Sequence, residues 1–239
     1  GGRFAVATGT APGTTTVLVT PITDADPGPI LVTADISADG SFAFIENLEG
    51  ASVVGPLAIA PSSTGSKIAA FGRPPFLSKG ILIAPDDTIT SYGTLGCGSS
   101  SLVADVAEVG GTPWMITSTS GAFGTCLLTD GPVAPPSRVQ IAALGGSGAV
   151  QVPAEWTTSP SDYATLARLV PVPDGVIAAV RFAGADAAVQ PGLLVQRLDA
   201  AGNPLSPVVE ILQPHQVPAA GLAAAHGNLA VAYVDALDP

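Results

Sequence analysis

The hydrophobic residues of this chain fall in short apolar runs that are separated by turn residues. The clearest example is Val176–Phe182, which is followed by Gly192–Ile211: two short strands, an Asp-x-x-Gly-Asn turn and a further strand. Apolar runs bounded by Gly, Pro and Asp predict β-strands that are joined by turns. No window predicts a helix of normal length; Asp162–Leu169 fits a strand equally well. The pattern therefore predicts an all-β chain.

A strand, a turn glycine and a second strand recur along the sequence. The turns fall at Gly110-Gly111, Asp174-Gly175 and His226-Gly227. Their spacings of about 64 and 52 residues are typical of a repeated sheet unit of four strands with loop insertions. We therefore predict a single β-propeller-like domain over residues 1–239, built as an array of four-stranded antiparallel blades. A β-sandwich is the alternative, because short strands with frequent turns are also its signature.

Some strands can be given a position within a blade. Thr125–Gly131 is predicted as the third strand of a blade, and Arg138–Ala143 as its fourth. Residues 1–9 are predicted as a second strand without its first, and residues 217–235 as first and second strands without the others. The hairpin at Asp39-Gly40 is not assigned to a blade. These ends predict either a closed ring in which the termini share a blade or, as the favoured interpretation, a fragment of a longer array.

The charge of the chain limits its partners. The 239 residues include 8 basic and 19 acidic ones, for a formal net charge of −11, and only 11% are charged. Nucleic acid and anionic membranes need a basic patch, so neither is expected as a partner. The acidic side chains are expected to bond their own turns two residues on. The turn aspartates are Asp24, Asp26, Asp39, Asp86, Asp87, Asp130, Asp174 and Asp199.

The sequence also indicates a compartment. It opens on Gly1-Gly2, contains no basic-then-apolar leader and no apolar run of transmembrane length, which predicts a mature product or a fragment of a longer chain. The two cysteines, Cys97 and Cys126, belong to no CxxC pair, so zinc binding is not supported. A disulfide between them predicts an extracytoplasmic protein and would contribute roughly 3–4 kcal/mol by closing a loop of about thirty residues. Two buried free thiols are the alternative.

No catalytic arrangement is evident. The chain contains no phosphate-binding glycine loop of the P-loop type and no G-x-S-x-G elbow. His215 and His226 are its only histidines, and no nucleophile accompanies either. Thr23–Gly28 begins like a calcium loop but has Pro27 where a further ligand is expected. We therefore predict no catalytic residue, no metal site and no cofactor.

The candidate binding residues are Trp156 and Glu155. They lie in the stretch Ala154–Thr158, which predicts a polar loop. An exposed loop tryptophan is suited to contact a sugar or a protein, because its ring offers a large apolar face and one donor. Trp114, beside Met115, is instead predicted to lie in the core.

The segment Leu-Val-Gln-Arg-Leu-Asp-x-x-Gly-Asn-Pro-Leu at 194–205 resembles the blade repeats of secreted bacterial β-propeller-like proteins, which abound in myxobacteria-like genomes. The resemblance covers residues 163–235, implies the propeller fold and supplies no catalytic residues. Our leading hypothesis is a non-enzymatic extracytoplasmic interaction or structural protein, a component of a surface assembly. It predicts protein contacts or self-assembly through an exposed apolar surface. The alternative is a carbohydrate-binding or carbohydrate-cleaving β-propeller.

Overall fold

The structure is a computed structural model, and it describes most of the strands of the chain. The described residues are 3–8, 14–20, 31–49, 57–73, 77–86, 88–95, 101–119, 138–144, 150–157, 163–183, 193–211, 216–225 and 228–235. Within these ranges the chain forms strands and turns and no helix. No helix of the described part is therefore long and apolar enough to cross a membrane.

The described residues form eighteen strands in five antiparallel sheets, and the strands of each sheet follow one another in the sequence. The first sheet contains β1 (Arg3–Thr8), β2 (Thr15–Thr20), β3 (Leu31–Ile36) and β4 (Phe42–Glu49). The second contains β5 (Leu57–Pro61), β6 (Lys67–Arg73), β7 (Leu77–Ile83) and β8 (Ile89–Leu95). The third contains β9 (Ser101–Val109), β10 (Thr112–Thr119), β11 (Arg138–Leu144) and β12 (Val150–Thr157). The fourth contains β13 (Tyr163–Val172), β14 (Gly175–Ala183), β15 (Leu193–Asp199) and β16 (Val209–Glu210). The fifth contains β17 (Gln216–Ala225) and β18 (Asn228–Asp235).

This order confirms the predicted four-stranded antiparallel units and corrects two strand positions. Arg3–Thr8 is the first strand of a complete sheet, not a second strand, and the unassigned Asp39-Gly40 turn joins β3 to β4 of the same sheet. Arg138–Leu144 pairs with β10 and is therefore a third strand, not a fourth. The prediction was wrong because the sequence alone does not show which apolar run pairs with β10.

Consecutive sheets pack face to face through their apolar side chains. On β10, Trp114 and Ile116 pack in a cluster with Leu169 and Val180 of the fourth sheet. Met115 points to the opposite face and packs with Ile68 of the second sheet. Because successive side chains of a strand alternate between faces, a strand with a sheet on each side is apolar at every position. This explains the continuous apolar runs of the sequence and confirms Trp114 as a core residue.

The first strands of neighbouring sheets are in contact, in the order β1, β5, β9, β13 and β17. The fourth strands β4, β8, β12 and β16 lie at the other edge of their sheets. This arrangement gives every complete sheet one edge that faces its neighbours' first strands and one outer edge, formed by its fourth strand. Each of these fourth strands has a neighbouring strand on one side only, so its side chains and those of its connections can contact a partner.

Most described turn aspartates bond their own turns, as predicted. Asp39 Oδ1 accepts a hydrogen bond from Ser41 N at 2.9 Å, and Asp86 Oδ1 from Thr88 N at 3.1 Å. A bond from the Ser41 hydroxyl, together with that from Ser41 N, lowers the pKa of Asp39, and the bond from Thr88 N lowers the pKa of Asp86. Asp174 differs, because it pairs with Arg197, whose Nη2 donates to Asp174 Oδ1 at 2.6 Å. The side-chain bond and the charge of Arg197 hold the pKa of Asp174 below its usual range.

Candidate interaction surface

The outer edge of the fourth sheet is formed by residues 204–211, which follow the Asp199–Asn203 turn. Asp199 organises this turn: its Oδ1 accepts hydrogen bonds from Ala201 N and Asn203 N, both at 2.8 Å, and its Oδ2 one from Asn203 Nδ2 at 2.9 Å. These bonds lower the pKa of Asp199. Gly202 adopts φ +86°, which glycine reaches without a Cβ penalty. The Asp-x-x-Gly-Asn motif therefore forms a hydrogen-bonded turn, after which the chain runs back alongside β15.

Residues 204–211 run beside β15 and are tied to it by hydrogen bonds at both ends. Leu205 N donates to Arg197 O at 2.8 Å, and Ile211 N donates to Leu193 O at 2.9 Å. Between these bonds, Gln196 Nε2 donates to Ser206 O at 3.1 Å. The segment is therefore held in one shape by the body of the sheet, although only Val209–Glu210 forms a regular strand.

This edge exposes aliphatic side chains. Leu205 is 51% exposed, Val208 43%, Val209 45% and Ile211 39%. Among the described residues, the other exposed large hydrophobic side chains are Ile36 and Ile89, which lie singly beside turns of the first and second sheets. Scattered exposed apolar residues are ordinary on protein surfaces, whereas a contiguous group marks an interaction site. We call residues 204–211 the outer apolar edge.

A second set of polar contacts joins neighbouring sheets. Glu108 on β9 accepts hydrogen bonds from the β5–β6 turn of the second sheet, from Ser62 Oγ and from Ser63 N, the latter at 2.9 Å. Partial burial acts to raise the pKa of Glu108, but the bonds from Ser62 and Ser63 together hold that pKa below its ordinary value. This contact fastens the second sheet to the third.

Asp105 makes the corresponding contact between the third and fourth sheets. Its Oδ2 accepts a hydrogen bond from Leu169 N of β13 at 2.9 Å. Withdrawal of the carboxyl from water raises the pKa of Asp105 to about 6, against the opposing effects of the Leu169 bond, the Arg168 charge and the Val106 N–H. The pKa shift has the direction expected for a desolvated acid.

The structure places the predicted site residues on a strand. Glu155 and Trp156 lie on β12 and pair with Gln140 and Val139 of β11, so the prediction of a loop there was wrong. The polar residues of Ala154–Thr158 suggested a loop, but residues 154–157 belong to β12, the strand at the outer edge of the third sheet. Their role in binding stays a prediction. They lie on the outer edge of the third sheet, whereas the outer apolar edge belongs to the fourth sheet.

Several predicted residues lie outside the described part of the chain. These are Cys97, Cys126, His215, His226, Asp24, Asp26, Asp87 and Asp130. The disulfide therefore stays a prediction. Within the described ranges, His, Cys, Asp and Glu form no group of three or more that could hold a metal ion.

Sequence reasoning missed the outer apolar edge and Asp105. The sequence does contain an indication of the edge. Pro204 and Pro207 interrupt strand pairing, and a strand with such prolines is usually an edge strand. The apolar residues beside them are Leu205, Val208, Val209 and Ile211. Asp105 is also noticeable in the sequence, because it is the one acidic residue in the otherwise apolar run Leu102–Ala107. Its partner is 64 residues further along the chain, and no local pattern indicates it.

Comparison with solved structures identifies the fold. A neuraminidase-like protein from A/bat/Guatemala/164/2009 matches with a TM-score of 0.51 and 14% identity, over 92% of this chain and 57% of that one. A subtype N10 neuraminidase-like protein of A/little yellow-shouldered bat/Guatemala/060/2010 matches with a TM-score of 0.51 and 13% identity, over 92% and 63% respectively. No protein-family model and no curated protein matches the chain.

The fold is therefore β-propeller-like, as the resemblance of residues 163–235 implied. At this identity the likeness concerns the fold, which many unrelated functions share. The chain spans about three-fifths of the length of these two neuraminidase-like proteins.

Proposed function

We propose that this chain is a non-enzymatic interaction or structural protein of an extracytoplasmic compartment, and that it binds a different protein through its outer apolar edge. The observation that carries the proposal is the group of four exposed aliphatic side chains, Leu205, Val208, Val209 and Ile211, on one segment fixed to β15. Burying each of them in an interface would contribute on the order of 1 kcal/mol, since about half of each side chain is already covered.

The chemistry of the edge favours a protein over the other occupants. The exposed side chains of residues 204–211 are mainly aliphatic, and the segment contains no aromatic ring against which a sugar could stack. Pro204 and Pro207 lack an N–H, so the contact depends on side chains and not on the addition of a long strand. The expected partner surface is therefore apolar at its centre.

The charge of the chain favours a different protein over a second copy. Two copies would each carry a net charge of −11 over the whole chain, and like net charges oppose association. A partner with a neutral or basic rim around an apolar centre avoids that cost. The repeat proteins that residues 163–235 resemble are secreted, which supports the extracytoplasmic compartment in this proposal.

The test is the mass of the chain in its native material. The full chain, purified gently from its source, is compared by size-exclusion chromatography and light scattering with the isolated 23.5 kDa chain. We expect a heavier native complex that contains a second protein. Leu205→Lys with Val209→Lys should release the chain, and Ile89→Lys, at an exposed apolar site on the second sheet, should not.

Three outcomes overturn the proposal. They are a monomer in the native material, a mass that is a multiple of 23.5 kDa without a second protein, and a complex that survives the double edge substitution. Circular dichroism of the variants shows whether they are folded.

The carbohydrate alternative depends on different residues, Glu155 and Trp156 of β12. It predicts binding of the full chain on a glycan array and loss of that binding in Trp156→Ala. Such a result, with a monomeric native chain, would replace the protein-partner proposal.

A further inference from the structure

We propose that Asp105 makes the contact between β9 and β13 a pH-sensitive joint, in which the neutral carboxylic acid holds the third and fourth sheets together more tightly than the carboxylate does. The proposal is independent of the outer apolar edge. It concerns the packing of two sheets and would stand if the edge had no partner.

The geometry places one ionisable group in the seam between two first strands. Asp105 lies in the middle of β9, opposite Ile116 of β10, and its Oδ2 reaches across to Leu169 N of β13. Ala107, Ile116 and Leu169, which belong to the apolar cluster between the third and fourth sheets, are buried. A carboxylate in such surroundings loses its hydration and regains only part of that energy from backbone donors.

Few charged groups are placed to compensate Asp105. Among the strands packed against β9, β5 and β10 contain no titratable residue; β13 contains Tyr163 and Arg168, β6 contains Lys67 and Arg73, and β7 contains Lys79. Glu108 lies on β9 itself, three positions on, and is directed to Ser62 and Ser63.

Arg168 is the cation that acts on Asp105, and its Nη1 donates to Ala167 O at 2.9 Å. The guanidinium is therefore engaged with the backbone of its own strand. Its charge favours the ionised form of Asp105, but burial is the larger effect and favours the acid.

The direction of the pH effect follows from the raised pKa. The neutral acid is favoured in the packed state, so the stabilisation is fully present below the unpacked pKa of 3.8 and is lost as the pH rises through about 6. The joint should therefore loosen between about pH 4 and pH 6 and change little above that.

Hydrogen exchange of the Leu169 amide tests the joint directly, because this N–H is the donor to Asp105. After correction for intrinsic exchange, its protection in the full chain should fall roughly 50-fold between about pH 4 and pH 7. In Asp105→Asn, which keeps an acceptor oxygen, protection should be independent of pH. The Ala69 amide of the second sheet is the control and should show no comparable change.

Flat protection of Leu169 in the wild type would overturn the proposal, as would the same fall in Asp105→Asn or in Ala69. If Asp105→Asn does not fold, the carboxyl carbon of Asp105 is titrated by NMR in the wild type. A titration midpoint near pH 6 supports the pH-sensitive joint, and a midpoint near pH 4 overturns the proposal.

Discussion

Leu144 of β11 lies directly over Gly80 of β7, so that a Cβ on the glycine would be 2.7 Å from Leu144 Cδ1. The two residues belong to the third and second sheets, and Leu144 is buried in the cluster that joins these sheets. Glycine at position 80 therefore sets how closely the two sheets approach each other.

A double-mutant cycle tests this relationship. Gly80→Ala should lower the free energy of unfolding by about 1–3 kcal/mol through overpacking, and Leu144→Ala by about 2–5 kcal/mol through a cavity. The double variant should cost less than the sum, because the added methyl group enters the space that Leu144 vacates. Denaturant unfolding provides the measurement. Gly40→Ala, whose Cβ would meet nothing within 4 Å, serves as an additive control with Leu144→Ala.

Gly175 is the most restrictive of the described glycines. It has φ +155°, and a Cβ there would lie 2.0 Å from the carbonyl oxygen of Leu198 on the paired strand β15. Gly175→Ala should lower the free energy of unfolding by about 3 kcal/mol or more, since backbone cannot give way as a side chain can. Gly111→Ala, at φ +80° in open space, should cost only about 1–2 kcal/mol. Equal losses in the two variants would contradict the steric explanation.

Glu108 should stabilise the chain in a pH-dependent manner. Its folded pKa is depressed, so its contribution is present above the unfolded pKa of 4.5 and is lost as the pH falls through the folded pKa. Glu108→Gln should lower the melting temperature at pH 7, and this loss should become smaller as the pH is lowered below 4.5. Thermal unfolding of both proteins at pH 7 and below pH 4.5 measures this. In a Ser62→Ala background the effect of Glu108→Gln should shrink, and an unchanged effect would refute the bond.

Trp114 tests whether the core needs its indole donor. The ring is buried, and its Nε1 has no hydrogen-bond partner among the described residues. Trp114→Phe should change the free energy of unfolding by only about 1 kcal/mol, since removal of an unpaired donor offsets the lost apolar area. Trp114→Ala should cost about 3–5 kcal/mol. A loss in the phenylalanine variant as large as that in the alanine variant would contradict this expectation.

The sequence predicts the strands better than the contacts between them. The hairpins at Gly110-Gly111 and Asp174-Gly175 are found where predicted, because each turn contains a glycine with positive φ between two apolar runs. The third-strand position of Arg138–Leu144 was not predicted, because pairing with β10 is a non-local contact. Trp156 was taken for a loop residue for the same reason.

The candidate site was only weakly visible in the sequence. Exposure of Leu205 and Val209 depends on the outer position of their segment in the fourth sheet, and apolar letters alone do not distinguish an outer edge from a core strand. The contact between Asp105 and Leu169 joins two sheets, and hydrophobic periodicity does not report which sheets are neighbours.

The contact of each first strand with the next, from β1 through β5, β9 and β13 to β17, has a consequence for how such a chain can change in evolution. Every sheet is assembled from one continuous stretch of sequence, and its packing partners are the sheets before and after it. Energetic coupling is then largely between nearest neighbours, as in linear repeat proteins. Duplication or loss of a whole sheet-coding segment would preserve the internal pairing of the others, so a new sheet with a different outer edge can be added without redesign of the existing ones.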